Sequence, residues 1–187
     1  AASAVDRALF GMVNKMHGEV EEQVTRDELT HFLTRKSFVQ AIDVNLPEQK
    51  KKDQAAALCQ ISIGNLKEIN ERDGVEVGDN LLESIASILT TTLGNKAVTF
   101  GRLSGSELAV FWHKGGLVSA QKNLQKCIDD FKDVDIGEGN ALKLNVAAGL
   151  VSVDDNLTPA KDLLNVVNDA CQAAKETSEK EIYIAGS

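Results

Sequence analysis

The chain has 187 residues, 43% of them apolar and 4% aromatic, with 20 Lys+Arg against 28 Asp+Glu and a formal charge of −8. That length predicts one domain, with or without a lead-in, and enough apolar residues for a real core. The acidic balance excludes the basic footprint of a nucleic-acid binder and an anionic membrane surface as main partner, and the scarcity of aromatics argues against a stacking platform for single strands.

Cys59, Cys127 and Cys171 lie far apart with no CxxC pair, which excludes a disulfide framework or a Cys-rich zinc site. They read as core hydrophobes in a reducing compartment, so the expected location is the cytoplasm. No apolar run reaches the length of a membrane-spanning helix, and direct membrane insertion is not expected. The opening AASAVDRALF has no basic n-region and no Met. We expect a piece of a longer protein, such as the cytoplasmic part of a larger or membrane-attached one.

In chain order, residues 4–26 read as a helix, with Leu9, Val13, Met16 and Val20 at 4-3-4 spacing. A second helix is predicted from Thr34 or Arg35, carrying Phe38, Ala41, Ile42 and Leu46. Pro47 and the run EQKKKDQ are expected to end it in a solvated loop. Residues 55–63, AAALCQISI, read as a mostly buried strand. A polar turn, GNLKEINERDGVEVGD, leads into a helix with a core stripe of Leu81, Leu82, Ile85, Ile88 and Leu89, stopped at Gly94-Asn95.

Residues 97–103 and 107–113 read as strands joined through Ser104-Gly105-Ser106 as a hairpin. A helix is predicted over 117–131 and a strand over 142–153. Thr158 and Pro159 then read as cap and first residue of a helix running to Glu176 with Leu163, Leu164, Val167 and Cys171, before a last strand at 182–184. Hairpin-joined strands mixed with helix-joined ones predict an α+β fold, a mixed β-sheet with helices packed on it, rather than a doubly wound one.

The end of the first strand and the hairpin tip are expected to lie close together, and such places gather functional side chains. The turn holds Asn65, Lys67, Asn70 and Asp79 with Gly74 and Gly78. An Asn–Asp pair suits a guanine edge, since a carboxylate accepts from ring and exocyclic N–H while an amide donates and accepts. On spacing alone, a polar loop with two turn-permitting glycines is the favoured reading of these residues. His17, His31 and His113 form no metal-ligand spacing, and no P-loop, GxGxxG or GxSxG occurs.

Asp27-Glu28-Leu29-Thr30-His31-Phe32-Leu33-Thr34-Arg35-Lys36-Ser37-Phe38 resembles the D-x-L-T-G-L-x-N-R-R-x-F opening of GGDEF domains, the diguanylate cyclases. ISIGNLKEINERDGVEVGDNLL, residues 61–82, resembles their D-I-D-x-F-K-x-I-N-D-x-x-G-H-x-x-G-D-x-x-L. Arg102-Leu103-Ser104-Gly105-Ser106-Glu107-Leu108 falls where R-x-G-G-D-E-F belongs, and residues 146–151 and 168–175 resemble the closing strand and A-D-x-A-L-Y-x-A-K helix.

The resemblance implies a nucleotidyl-cyclase palm over residues 27–187, a central mixed sheet ringed by helices, with residues 1–26 as a signalling or linker helix. In such domains two copies each bring one GTP, and two divalent ions help a ribose hydroxyl attack an α-phosphate to make cyclic di-GMP. Hard Mg²⁺ wants anionic oxygens. The two metal-carboxylate positions fall on Ser62 and Ser106. Glu107 follows Ser106, but successive strand residues face opposite ways, which makes it a poor stand-in. Losing both carboxylates should cost on the order of 10⁴-fold in rate. The last-helix Arg falls on Glu179, the inhibitory R-x-x-D on Asn95-Lys96-Ala97-Val98, and the His after the glycine on Val75. Asn70 and Asp79 on the guanine side and Lys175 on the phosphate side survive, with Lys67 matching as well.

The expectation is therefore an inactive GGDEF domain, a regulatory or dimerisation module, with no cofactor unless residual GTP binding brings Mg²⁺. Expected partners are a second copy through the first helix and an adjacent EAL or sensory domain. The alternatives are an allosteric GTP-binding domain controlling an attached EAL phosphodiesterase, a residual diguanylate cyclase, and a pure protein-interaction domain.

Overall fold

The computed structural model describes residues 25–51, 55–134, 144–153, 158–177 and 181–186. The helix expected over residues 4–26 lies almost wholly outside the described residues, as does Glu179.

The elements are β1 (Leu33–Thr34), α1 (Arg35–Lys51), β2 (Ala56–Ile63), α2 (Leu66–Asp73), α3 (Val75–Leu93), β3 (Val98–Ser104), β4 (Glu107–Trp112), α4 (Gly116–Phe131), β5 (Val146–Val153), α5 (Ala160–Glu176) and β6 (Ile182–Ile184). They form one six-stranded sheet in the order β1-β3-β4-β2-β5-β6. The two edge pairings, β1–β3 and β5–β6, are parallel and the three inner ones antiparallel. This is the mixed, helix-flanked α+β sheet of the palm-like fold.

β2 is the middle of the structure, buried at all eight positions. Its alternate residues feed two cores. Ala57, Cys59, Ile61 and Ile63 pack with Leu81, Leu82, Ile85 and Leu89 of α3 and Leu124, Ile128 and Phe131 of α4. Ala56 and Leu58 pack on the other face with Phe38 and Ile42 of α1 and Leu164 and Val167 of α5. Ser62 and Gln60 point to that second face. α5 lies close against β5, because a side chain on Gly149 would come within 2.3 Å of the Val167 carbonyl oxygen.

Three local expectations need correction. α1 does not stop at Pro47 but continues to Lys51, so the start of the EQKKK run is helical rather than loop. Proline removes one amide donor, a single rung of the ladder, and the turns on either side hold. The stretch after β2 is not a turn but the two-turn helix α2, separated from α3 by Gly74 at φ 98°. Only glycine enters that region without strain. Thr158 does not cap α5: Pro159 sits at the cap position, and the first amide, of Ala160, donates to Asp43 Oδ1 of α1 at 2.8 Å. A helix packed alongside supplies the oxygen that the local sequence was expected to give.

Candidate functional site

The β2 end and the hairpin tip do meet. The Ile63 amide donates to the Ser106 carbonyl at 2.9 Å, and Ser62 pairs directly with Glu107 across the β2–β4 ladder. Ser106 belongs to the two-residue turn and Glu107 opens β4, so the alternation argument does not separate them as expected. Glu107 shares the face of Ser62, because directly paired strand residues point the same way.

The hairpin is held from outside by Arg102. Its Nη1 pairs with Asp27 Oδ1 at 2.8 Å, its Nη2 donates to the Gly105 carbonyl at 3.0 Å and its Nε to the Ser104 carbonyl at 3.2 Å. Asp27 Oδ2 accepts from both the amide and the hydroxyl of Thr30 at 2.8 Å. Burial alone would raise the Asp27 pKa, but the Thr30 amide and hydroxyl and the Arg102 guanidinium outweigh it and hold the carboxyl below its ordinary value. The D-x-L-T and R-x-G-G stretches are thus one piece of scaffolding. His31, at the glycine position of the opening motif, adopts a left-handed φ of 63°.

Inside the site, each Glu107 oxygen accepts one hydrogen bond. Ser104 Oγ donates to its Oε1 at 2.8 Å, and Gln60 Nε2 donates to its Oε2 at 2.5 Å and to Asn168 Oδ1 of α5 at 3.0 Å. Gln60 is 3% exposed and Ser62 2%. Cys171, also on α5, is buried beside this group with its thiol against the Ala147 carbonyl. Burial pushes that thiol up to about 11, with Lys175 pulling it down and Glu107 pushing it further up. The Lys175 side chain itself is exposed in the last turn of α5.

These residues do not fit a divalent cation of the family's kind. The two positions that should carry anionic oxygen present neutral hydroxyls, Ser62 and Ser106, which leaves Glu107 as the one carboxylate at the β2 end and hairpin tip. Among the described residues no three His, Cys, Asp or Glu side chains converge.

The guanine-side candidates behave differently from one another. Asn65 opens α2, and its Oδ1 accepts from the Asn145 amide at 2.9 Å, which ties the lead-in of β5 to the β2–α2 turn. Asn70 leans across to α3, where a side chain on Gly78 would come within 1.6 Å of its Oδ1. That oxygen is buried and has no hydrogen-bond partner. Asp79, next to Gly78, is exposed, as is Lys67. The structure therefore brings Asn70 alongside the turn of α3 that carries Asp79, and leaves Asn65 and Lys67 out of that pair.

The sequence reading missed Gln60 and Asn168 as site residues. A lone amide on the Ser62 face of an otherwise apolar strand was the available signal for Gln60. Asn168 stood only as the first residue of the last-helix motif, and its link to Gln60 was hidden because the two are 108 positions apart.

A family model described as "Diguanylate cyclase, GGDEF domain" matches residues 24–181. The chain belongs to the GGDEF domain family. Among relatives, this GGDEF domain is 28% identical over 171 residues to probable diguanylate cyclase DgcE of Escherichia coli (strain K12), covering 91% of this chain and 15% of that protein. It is 23% identical over 167 residues to cyclic di-GMP phosphodiesterase PdeB of Shewanella oneidensis, covering 89% of this chain and 19% of that protein. The chain thus spans less than a fifth of either relative. The coiled coil and GGDEF domain of DgcB from Caulobacter crescentus, in complex with c-di-GMP, superposes with a TM-score of 0.78 at 17% identity over 97% of this chain and 96% of that one. Among the described residues, no helix of this GGDEF domain is long and apolar enough to cross a membrane.

Proposed function

We propose that this GGDEF domain does not make cyclic di-GMP and serves as a regulatory or dimerisation module of a larger cyclic di-GMP signalling protein. One observation carries this reading: the paired positions at the β2 end and hairpin tip hold Ser62, Ser106 and a Glu107 whose oxygens are both engaged. Neutral hydroxyls cannot offset the charge of a dication among phosphates, and each ~1.4 kcal/mol of lost stabilisation is tenfold in rate. The family's spread over proteins named as cyclases and as a phosphodiesterase supports a domain joined to other modules, an EAL or sensory domain among them. Incubation with GTP and Mg²⁺ or Mn²⁺, followed by chromatography, tests the reading. We expect no cyclic di-GMP, and its appearance ends the proposal.

A second reading keeps guanine-nucleotide binding without turnover, as an allosteric input to an attached module. The placement of Asn70 against the turn of α3 that carries the exposed Asp79 favours it, because an amide and a carboxylate near one another suit a guanine edge. Calorimetric titration with GTP decides it: heat of binding lost in both Asn70→Ala and Asp79→Ala is the expected result. No heat up to millimolar GTP leaves only the interaction module.

A further inference from the structure

A carboxylate beside a buried strand has to be compensated, by a cation or by donors aimed at it. Glu107 has donors. The hydroxyl of Ser104 takes one oxygen at 2.8 Å and the amide of Gln60 the other at 2.5 Å. A primary amide nitrogen carries two hydrogens, and Gln60 uses its second on Asn168 Oδ1 at 3.0 Å. Gln60 stands on the central strand, Glu107 on the hairpin and Asn168 on α5. Three elements far apart in sequence therefore converge on one nitrogen, on a residue that is 3% exposed.

We propose that Gln60 is the positioning residue of this hairpin, in a site where the carboxylate is held by neutral donors and not by a cation. It holds the Glu107 carboxylate in place and ties the hairpin tip to α5, so that the site is organised without metal. This rests on the reading of the site as short of metal ligands and adds the residue that takes their place. It also assigns Asn168 a job: it is the α5 end of the tie. A chain of hydrogen bonds of this kind fixes geometry more firmly than its separate bonds, because each member orients the next.

The test is amide hydrogen exchange on the domain and three variants, with Mn²⁺ added in a parallel set. Gln60→Leu should raise exchange in both the hairpin, residues 103–108, and α5, residues 164–171, by about tenfold or more, the equivalent of one lost hydrogen bond to a charged group. Asn168→Ala changes only an exposed side chain and so keeps the fold. Relative to Asp169→Ala, which makes the same helix-favouring swap next door without touching the tie, it should raise exchange in α5 while leaving the hairpin within about twofold, as loss of one arm of the tie requires. Exchange in α5 no higher in Asn168→Ala than in Asp169→Ala overturns the tie, whether or not Gln60→Leu folds. Millimolar Mn²⁺ should leave wild-type Ser104–Glu107 resonances sharp and the melting temperature unmoved; paramagnetic broadening there overturns the metal-free arrangement. The tie can fail in this way while no cyclic di-GMP is formed, so its failure is distinct from that of the proposed function.

Discussion

Ser62 stands directly opposite Glu107 in the β2–β4 ladder, on the face covered by α5, and the carboxylate turns to Gln60 and Ser104. An acidic chain thus has, at the meeting of its middle strand and hairpin, one carboxylate that is already satisfied. The net charge of −8 says nothing of this; the distribution of the charge does.

Gly78 gives a way to move Asn70 without touching it. A methyl there would lie 1.6 Å from Asn70 Oδ1, and the amide tip, as the flexible partner, must swing away. Alanine is also the better helix former by roughly 0.5–1 kcal/mol. Gly78→Ala should therefore leave thermal stability equal or slightly raised and, under the nucleotide-binding reading, abolish the calorimetric signal for GTP. A large drop in melting temperature would show that Asn70 cannot yield and that the glycine serves packing instead.

Asp27 and Arg102 make a prediction in acid. The folded pKa of Asp27 is lowered, so its contribution to stability is present above the unfolded value of about 3.9 and is lost as pH falls through the folded value. Asp27→Asn should cost about 1–2 kcal/mol in urea unfolding at pH 7, where the charged bonds to Thr30 and Arg102 are at stake. The gap between wild type and variant should close below pH 4. A gap that is constant with pH would mean that the carboxylate charge is not what the Thr30–Arg102 arrangement holds.

Much of the fold was legible because it rests on local patterns. The stripe of Leu81, Leu82, Ile85 and Leu89 and the short Gly105-containing turn report helix and hairpin directly. What stayed hidden depends on distant partners. α2 buries only Leu66 and Ile69 in eight residues, so its polar sequence reads as a turn. The oxygen that caps α5 comes from Asp43, and Thr158 beside Pro159 gives no hint of it. At the site, the motif offered Ser62, Ser106 and Glu107, but the occupant of Glu107 was unreadable, since Gln60 looked like one more residue of a buried strand.

His31 carries a backbone cost. At φ 63° a residue with a Cβ is strained, and histidine tolerates this better than a β-branched residue does. His31→Val should destabilise by about 1–2 kcal/mol, and His31→Gly should be neutral or stabilise by up to about 1 kcal/mol. Equal melting temperatures for the Val and Gly variants would show that the turn relaxes to a negative φ.

The cysteines should be silent in the folded protein. All three are buried, and burial pushes the Cys127 and Cys171 thiols up to about 11 and that of Cys59 higher still. A thiol in that state is a poor nucleophile at neutral pH. A disulfide reagent at pH 8 should titrate no thiol until urea unfolds the chain, and then all three. Fast native labelling of Cys171 would place an open path beside Lys175 and Glu107.

With Ser62 and Ser106 in place of the two metal carboxylates, the domain lacks the anionic seat that the metal-assisted reaction needs. Phosphorus NMR of GTP incubated with the domain and Mg²⁺ tests it most directly, since one spectrum reports every phosphorus species. The account predicts that the three GTP resonances keep their intensities over a day with no pyrophosphate. A growing pyrophosphate signal matched by a cyclic di-GMP phosphodiester signal would contradict it.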